Sequence, residues 1–348
     1  MRALSYAVFG GPIAIGDWAD PVAPPGGAVV AVYASGLCRS DWHGWLGHDE
    51  DIRSLPQVPG HEFAGVVHSV GPGVDPAWVG RMVTAPFVQA CGQCAVCRRG
   101  AGQVCPNQHQ PGFTDPGSFA ELVVVHAAEV NLVELPAGLS PALAAGLGCR
   151  VATAYRAVAH RARVQPGERV AVFGCGGVGL AAIAVAVSRG AQVVAVDAAP
   201  GPLRSAVAAG AEHTVLAGPL TATQVVHWSA GGVDVSLDAV GSPATCREAI
   251  YCLARTGRHV QVGLLPPAAG VAQVPMDRVI AWELDILGSH GMPAADYPQL
   301  LADLDSGRLD ASALGALGEP MTLTEAARAL PRIGTSPSPG LAVADPRR

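Results

Sequence analysis

Lysine is absent from this sequence of 348 residues, so every basic residue besides histidine is an arginine. With so much alanine, glycine and arginine, this absence reflects genome base composition more than function. Charged residues are scarce at 14%, whereas 50% of the residues are hydrophobic, which is ample for a buried core and argues against disorder. The net charge of −6 gives no reason to expect a nucleic acid or an anionic membrane as a partner.

Targeting signals and membrane spans are also lacking. The N-terminus carries one arginine and no long apolar run, so we expect no secretory signal there. An uncharged apolar stretch, residues 170–188, reaches transmembrane length, but four glycines in its first half favour a strand, a turn and a helix. Nine cysteines in such a chain indicate metal ligands more than disulfides. The sequence therefore predicts a soluble, cytoplasmic protein.

Two domains are expected at this length. Up to about residue 150, short β-branched runs between glycine and proline turns predict an irregular β-rich domain. Beyond it, alternating apolar strands and helices are typical of a parallel α/β domain. The predicted strands are residues 28–33, 63–67, 79–83, 117–125, 169–173, 192–196, 233–237, 258–262 and 284–287. The predicted helices are residues 142–147, 180–188, 245–255, 297–304 and 323–330.

Four cysteines are clustered with the spacing C-x2-C-x2-C-x7-C: Cys91, Cys94, Cys97 and Cys105. Four thiolates at this spacing can close a tetrahedral zinc shell, so we expect a structural zinc that folds the loop. Disulfides, inert thiols and an iron–sulfur cluster are the alternatives. A nucleic-acid-binding zinc module is disfavoured, because no basic stripe surrounds the cluster.

A second set of metal-ligand types lies between residues 36 and 62. Cys38 and His61 are the thiolate and imidazole that zinc prefers. Cys149 would by itself be interpreted as a small buried residue, but beside this pair it is a possible third ligand. Three protein ligands leave the fourth tetrahedral position open, which is typical of catalytic zinc. Three more side chains of this stretch can orient ligands and carry a proton: Ser40, Asp41 and His43.

A nucleotide-binding fingerprint, G-x-G-x-x-G, follows the strand predicted at residues 169–173 and opens a helix. Its residues place a pyrophosphate at the helix N-terminus: Gly174, Gly176, Gly177, Val178 and Gly179. Asp197 ends the next strand and can accept hydrogen bonds from the adenosine ribose, which favours NAD over NADP. Its alternative role is that of an ordinary capping or turn aspartate. Glycine-marked strand ends predict a nicotinamide contact at Val262, Gly263 and Ser289.

These motifs together resemble the zinc-dependent medium-chain alcohol dehydrogenases over essentially the whole chain. The matching pieces are residues 38–43, Gly60-His61-Glu62, the four-cysteine loop, Gly148-Cys149 and the fingerprint that ends at Asp197. The resemblance implies an α/β fold class with a parallel-sheet Rossmann NAD-binding domain at residues 151–289. Residues 1–150 and 290–348 would form a β-rich, GroES-like catalytic domain. It further implies NAD, two zinc ions per subunit and a homodimer or homotetramer.

The resemblance also assigns roles. Cys38, His61 and Cys149 would hold a catalytic zinc, and an alcohol would lose its proton to Ser40, then through the cofactor ribose to His43 and solvent. Asp41 would orient a ligand imidazole, Glu62 would approach the metal transiently, and Arg39 would face the pyrophosphate. Phe87 and Trp45 are candidates for the substrate pocket and, equally, for plain core. We interpret His48 and His109 as surface residues.

Departures from the family and alternatives remain. Pro202 stands about where the family often has a lysine, and residues 339–343 lack the basic residue that helps hold the pyrophosphate. Members of the family that act on polyols usually carry an acidic residue where Cys149 stands, so simple alcohols are favoured. The alternatives are a polyol, aryl or allylic alcohol dehydrogenase or a carbonyl reductase. A zinc- and nucleotide-binding protein without turnover would bind the cofactor but give no alcohol-dependent NADH signal.

Overall fold

The computed structural model describes residues 1–265, 270–314, 320–334 and 342–348. The chain divides into two compact units. Unit 1 comprises Met1–Ala152, Gly291–Asp305 and Leu317–Arg348, and unit 2 comprises Thr153–His290 and Ser306–Ala316. A short C-terminal segment is thus grouped with unit 2, whereas the sequence placed all of residues 290–348 in the first domain. The sequence predicts no basic cofactor contact at residues 339–343, and residues 339–341 of this stretch lie outside the described residues.

The described strands are divided between the two units, with β8 to β13 in unit 2. They are β1 (Arg2–Tyr6), β2 (Ile13–Asp17), β3 (Ala28–Gly36), β4 (Phe63–Val70), β5 (Met82–Thr84), β6 (Leu122–Val125), β7 (Val133–Glu134), β8 (Arg169–Phe173), β9 (Gln192–Asp197), β10 (His213–Leu216), β11 (Val233–Asp238), β12 (Leu253–Gln261), β13 (Asp285–Gly288) and β14 (Val343–Ala344).

The described α-helices are short, and α6 is the longest. They are α1 (Arg39–Trp45), α2 (Ala95–Arg98), α3 (Ala128–Asn131), α4 (Pro141–Leu147), α5 (Arg150–Tyr155), α6 (Gly177–Ser188), α7 (Pro200–Ala208), α8 (Thr221–Trp228), α9 (Pro243–Tyr251), α10 (Met276–Trp282), α11 (Tyr297–Asp305) and α12 (Leu323–Ala329). A π-helical turn, Arg156–Arg161, continues α5. None of the described helices combines the length and apolarity needed to cross a membrane.

Unit 1 is built on an antiparallel sheet in the order β14-β3-β4-β5-β7, with β6 also paired to β3. Its inward side chains form a β-branched core that includes Val30, Val32 and Val83. The end of β3 lies opposite the start of β4, since Ser35 pairs with Phe63. This register brings the segment that follows β3 next to the segment that precedes β4.

Unit 2 is a six-stranded parallel sheet in the order β10-β9-β8-β11-β12-β13. Numbered from its first strand, this order is 3-2-1-4-5-6, that of a doubly wound Rossmann sheet. The strands β8 and β9 are almost completely buried, as expected for a parallel sheet covered by helices. The predicted α/β fold class with a parallel nucleotide-binding sheet is therefore confirmed.

Several predicted boundaries are wrong. The strand expected at residues 79–83 starts only at Met82, because Gly80 adopts a positive φ of 86° that ends the preceding turn. The strand expected at residues 117–125 is reduced to β6. The helix expected at residues 245–255 ends at Tyr251, because Leu253 already pairs with Val233 in the sheet.

Candidate active site and metal centres

The first donor set lies in unit 1, where three connections between elements converge. Cys38 is the N-cap of α1 directly after β3, His61 precedes β4, and Cys149 lies between α4 and α5. One ligand atom from each of these residues and from Glu62 lies within 4.8 Å of all the others. The helix α4 packs against β3 and β4, so it delivers Cys149 to the junction that the strand register creates. The structure thus brings together all three predicted ligands.

Asp41 orients this donor set. Its Oδ1 accepts a hydrogen bond from His61 Nδ1 at 2.9 Å, and its Oδ2 accepts one from the Cys38 backbone N–H at 2.9 Å. Because a carboxylate only accepts, Nδ1 carries a proton, which leaves Nε2 as the ring nitrogen that a cation would bind. His61 is 1% exposed, and its buried Nε2 has no hydrogen-bond partner among the described residues. An unsatisfied buried acceptor facing two thiols fits a bound zinc ion.

The two thiols share one negative charge. The pKa of Cys38 is lowered well below its ordinary value, chiefly by a hydrogen bond with Cys149 and also by His61. The pKa of Cys149 is raised well above its ordinary value by the same hydrogen bond and by burial. Burial opposes a charge on His61, but the Asp41 carboxylate and Cys38 raise its pKa overall. A divalent cation is what allows both sulfurs to be thiolates at once.

Glu62 is held in a buried ion pair with Arg150, a residue that sequence reasoning missed. Both Glu62 oxygens accept from the Arg150 Nε, at 2.9 and 2.7 Å, and Oε1 also accepts from the Arg150 backbone N–H at 2.8 Å. The carboxylate is 0% and the arginine 5% exposed. A Cβ at Gly36 would collide with both side chains, so glycine is required there. The signal available in the sequence was a charged residue immediately after a candidate ligand in an apolar segment.

The predicted proton-carrying side chains lie along α1. Ser40 Oγ is 3.8 Å from Cys38 Sγ, and His43 is one turn further along the helix. His43 Nδ1 lies 3.1 Å from Nδ1 of the exposed His48, so the residue interpreted as a plain surface histidine contacts the predicted relay. Burial and the charges of Arg39 and His48 lower the pKa of His43. Arg39 itself is exposed on the first turn of α1.

The two pocket candidates are placed differently. Phe87 is 8% exposed and forms a cluster with Cys38, Val88 and Cys149, and its ring meets His61 edge-on at 6.1 Å. Trp45 is not a member of this cluster, and its indole N–H donates to Gly11 O at 3.0 Å. A second aromatic ring, missed in the sequence, packs on His61: that of Phe113, with a centroid distance of 5.4 Å.

The four-cysteine loop forms a second donor set. None of its thiols is in a disulfide. Four of the six sulfur–sulfur distances in this set are 3.4, 3.5, 3.9 and 3.9 Å. A tetrahedron with Zn–S bonds of about 2.3 Å has edges of about 3.8 Å, so the distances fit a closed zinc shell. Backbone hydrogen bonds from Gln93 and Cys94 lower the pKa of Cys91 to about 6, which favours a thiolate ligand.

The glycine fingerprint joins β8 to α6 in unit 2. Gly174 has a φ of 90°, Gly176 is the N-cap, and a Cβ at Gly179 would collide with Gly174 O. Gly177 and Val178 form the first turn, whose backbone N–H groups are available to an anion. Asp197, at the end of β9, accepts hydrogen bonds from the N–H groups of Cys175 at 2.8 Å and Ala199 at 3.0 Å.

The other cofactor candidates follow the carboxyl ends of β12 and β13. The N–H groups of Val262 and Gly263 both donate to Asp238 O, at 3.0 and 2.8 Å. The Ser289 N–H donates to Gln261 O, while its buried hydroxyl has no partner in the part of the chain that the structure describes. In open α/β sheets, ligands bind beyond the carboxyl ends of the strands. All three residues lie just beyond the carboxyl ends of β12 and β13, and their role in cofactor binding stays a prediction.

The chain matches two family descriptions, each over part of its length. Residues 24–137 match "Alcohol dehydrogenase GroES-like domain", and residues 177–306 match "Zinc-binding dehydrogenase". An alcohol dehydrogenase of Geobacillus stearothermophilus is 34% identical over 267 residues, which are 76% of this chain and 78% of the relative.

Solved structures extend the likeness to nearly the full chain. Alcohol dehydrogenase TADH from Thermus sp. ATN1 is 31% identical with a TM-score of 0.88, and 99% of each chain is covered. A structure described as an NAD-dependent alcohol dehydrogenase is 29% identical with a TM-score of 0.87 and the same coverage. The predicted combination of a GroES-like domain with a Rossmann domain is thereby confirmed. This chain belongs to the zinc-dependent medium-chain alcohol dehydrogenase family.

Proposed function

We propose that this chain reversibly oxidises a primary or secondary alcohol to an aldehyde or ketone by hydride transfer to NAD. The observation that carries the proposal is the buried donor set of two thiols and an imidazole whose Nε2 lacks a partner. Asp41 fixes the imidazole tautomer, so the lone pair faces the sulfurs. Three donors of this kind leave one tetrahedral position open for substrate.

The proposed mechanism assigns the proton to residues of α1. When bound, zinc supplies a Lewis acid that lowers the pKa of an alcohol hydroxyl, and NAD supplies the hydride acceptor. Ser40 lies beside the ligand Cys38 and accepts the hydroxyl proton. His43 receives it next, because its lowered pKa keeps the imidazole neutral at neutral pH. Its contact with the exposed His48 then leads the proton toward solvent.

The test of this function couples metal analysis to an NAD-linked screen of primary, secondary and aromatic alcohols. We expect about two zinc ions per subunit, one in each donor set, and NADH formation that depends on an alcohol. One zinc confined to the four-cysteine loop, or NAD binding without any alcohol-dependent signal, would contradict the proposal. Running the panel at two pH values separates dehydrogenases from enzymes that act mainly as carbonyl reductases.

The cofactor proposal rests on Asp197, which presents a carboxylate where the adenosine ribose is expected. We expect Asp197→Gly to lower the preference for NAD over NADP, taken as the ratio of their kcat/KM values, by roughly 10- to 100-fold. A factor of this size corresponds to the free energy of a hydrogen bond to a charged group. Asp197→Asn removes the charge at nearly constant shape and keeps an acceptor for one of the two N–H groups, of Cys175 and Ala199, that bond different carboxylate oxygens. The exposed Glu212→Gln serves as the control, and an unchanged ratio in both Asp197 variants places the ribose contact elsewhere.

A homodimer is the assembly that unit 2 favours. Strand β13 pairs only with β12 among the described residues, so its other edge is open. Beside it, Ile286 is 38% and Ile280 on α10 is 74% exposed. An open apolar edge is a template for a second copy related by a two-fold axis.

We expect Ile286→Lys to halve the mass measured by analytical ultracentrifugation, whereas Val207→Lys on α7 leaves it unchanged. Equal masses for both variants would refute this interface.

A further inference from the structure

A third cluster of metal-ligand types lies in unit 1 and shares no residue with the two thiol sets. One ligand atom from each of His109, Asp115 and His126 lies within 4.8 Å of the other two. The side chains are 46%, 26% and 25% exposed, so solvent ions reach them. The proposed dehydrogenase mechanism uses none of the three.

The backbone holds these residues in place through one buried side chain. Gln89 is 1% exposed and forms an isolated β-bridge with His109. Its Oε1 accepts a hydrogen bond from the His126 backbone N–H at 2.7 Å. Asp115 closes a tight turn, since its N–H donates to Gln110 O and its carbonyl accepts from Gly112. Hydrogen bonds of the backbone and of the buried Gln89 side chain thus hold three loop segments, and with them the cluster, in a fixed arrangement.

The carboxylate already bridges the two rings. Asp115 Oδ2 accepts from His109 Nδ1 at 2.9 Å, and Oδ1 lies 3.4 Å from His126 Nε2. The two imidazoles are stacked with centroids 3.6 Å apart and planes within 12°. The three side chains thus present donor atoms that all lie within 4.8 Å of one another, a spacing that a single cation can bridge.

We propose that His109, Asp115 and His126 form a third metal site, open to solvent, for a borderline divalent first-row cation such as Zn²⁺. Two imidazoles and a carboxylate are the donor set that such cations accept, with further positions left for water. Asp115 presents one carboxylate oxygen to each ring, at 2.9 and 3.4 Å, and ligand atoms around a tetrahedral zinc with bonds of about 2.0–2.1 Å lie about 3.4 Å apart. To point both lone pairs at one ion the stacked rings have to rotate out of parallel, and their partial exposure leaves room for this.

Bound there, the cation cross-links the turn at residues 110–115 to the segment that follows β6. Asp115 and His126 also line a cavity of about 290 Å³ together with Trp18 and Val22, so water has access to the open positions. A metal held in this way adds stability to the folded chain that grows with the logarithm of the free metal concentration above Kd, and its binding releases protons. The site therefore binds metal reversibly, unlike the closed four-thiol shell.

The test counts zinc on the full-length chain. Protein already loaded at both thiol sets is dialysed to equilibrium against buffered free Zn²⁺, and metal and protein are then quantified on both sides of the membrane. We expect one further equivalent in the wild type and in the control His68→Ala, an exposed histidine on β4, and its loss in His109→Ala, His126→Ala and Asp115→Ala. Equal uptake by all variants, or no third equivalent, overturns the site.

A second measurement needs no variant. With both thiol sets filled by zinc, Cu²⁺ added at one equivalent should give an electron paramagnetic resonance spectrum with hyperfine coupling to two nitrogens. Coupling to a single nitrogen, or to three or more, would overturn the proposed donor set. Because the zinc count at the thiol sets is recorded in the same samples, failure of this site is distinguishable from failure of the dehydrogenase function.

Discussion

Replacing Cys38 by alanine is expected to remove one zinc ion per subunit and to lower kcat/KM for alcohol oxidation by roughly a thousandfold or more, equal to about 4 kcal/mol of transition-state stabilisation. The side chain contributes a sulfur to the donor set and lies next to Ser40. Its removal therefore takes a ligand from the metal and a neighbour from the proton acceptor. NAD binding should persist, because the glycine fingerprint lies in unit 2. Zinc content, NAD fluorescence titration and steady-state kinetics on one preparation measure all three quantities.

Cys246→Ala is the matched control for this experiment. Cys246 is also a buried, unoxidised cysteine, at 4% exposure, but it belongs to the apolar core of unit 2 and to no donor set. Its loss should leave the zinc count and kcat/KM unchanged. A Cys38→Ala protein that keeps both zinc ions and full turnover would remove the proposed catalytic centre, whereas equal damage by both variants would point to general unfolding.

How much of this site was predictable depends on how far apart its parts lie in the chain. The four-cysteine loop and the glycine fingerprint are compact in sequence, so spacing alone identifies their chemistry. Cys38 and His61 lie close together because they flank two adjacent antiparallel strands, β3 and β4. A prediction of these strands makes this proximity foreseeable. Cys149 is a ligand candidate only because the other two were recognised first, and α4 packing places it there.

The missed features depend on tertiary contacts between distant or unpatterned residues. Glu62 and Arg150 are 88 positions apart, and no periodicity connects them. From the sequence alone, His109 is interpreted as a surface residue, since its meeting with His126 depends on the bridge at Gln89 and a turn. The early end of α9 has the same cause, because sheet pairing of Leu253 overrides a helical preference. Local sequence patterns thus identified the candidate ligands and the glycine fingerprint, whereas the buried residues that contact them could be found only from the folded structure.

Arg150→Met is expected to lower the free energy of unfolding by about 3–5 kcal/mol, because it leaves the Glu62 carboxylate buried without its counter-charge. Methionine fills much of the same volume, so the loss reports charge more than packing. Turnover should fall as well, since the freed carboxylate lies within 4.8 Å of the three ligand atoms and competes for the open position. Chemical denaturation, followed by tryptophan fluorescence, and kcat measure the two effects.

A double mutant separates the charge from the shape of the pair. Glu62→Gln in the Arg150→Met background removes the orphaned charge, so we expect it to recover at least half of the lost stability, a coupling that additive effects cannot produce. The exposed pair Arg81–Glu134, with a 2.7 Å contact and side chains 43% and 53% exposed, provides the comparison. Arg81→Met should cost about 0–1 kcal/mol. If the two arginine variants lose equal stability, burial is not what makes Glu62 dependent on Arg150, and the ion pair is a packing feature without influence on the metal site.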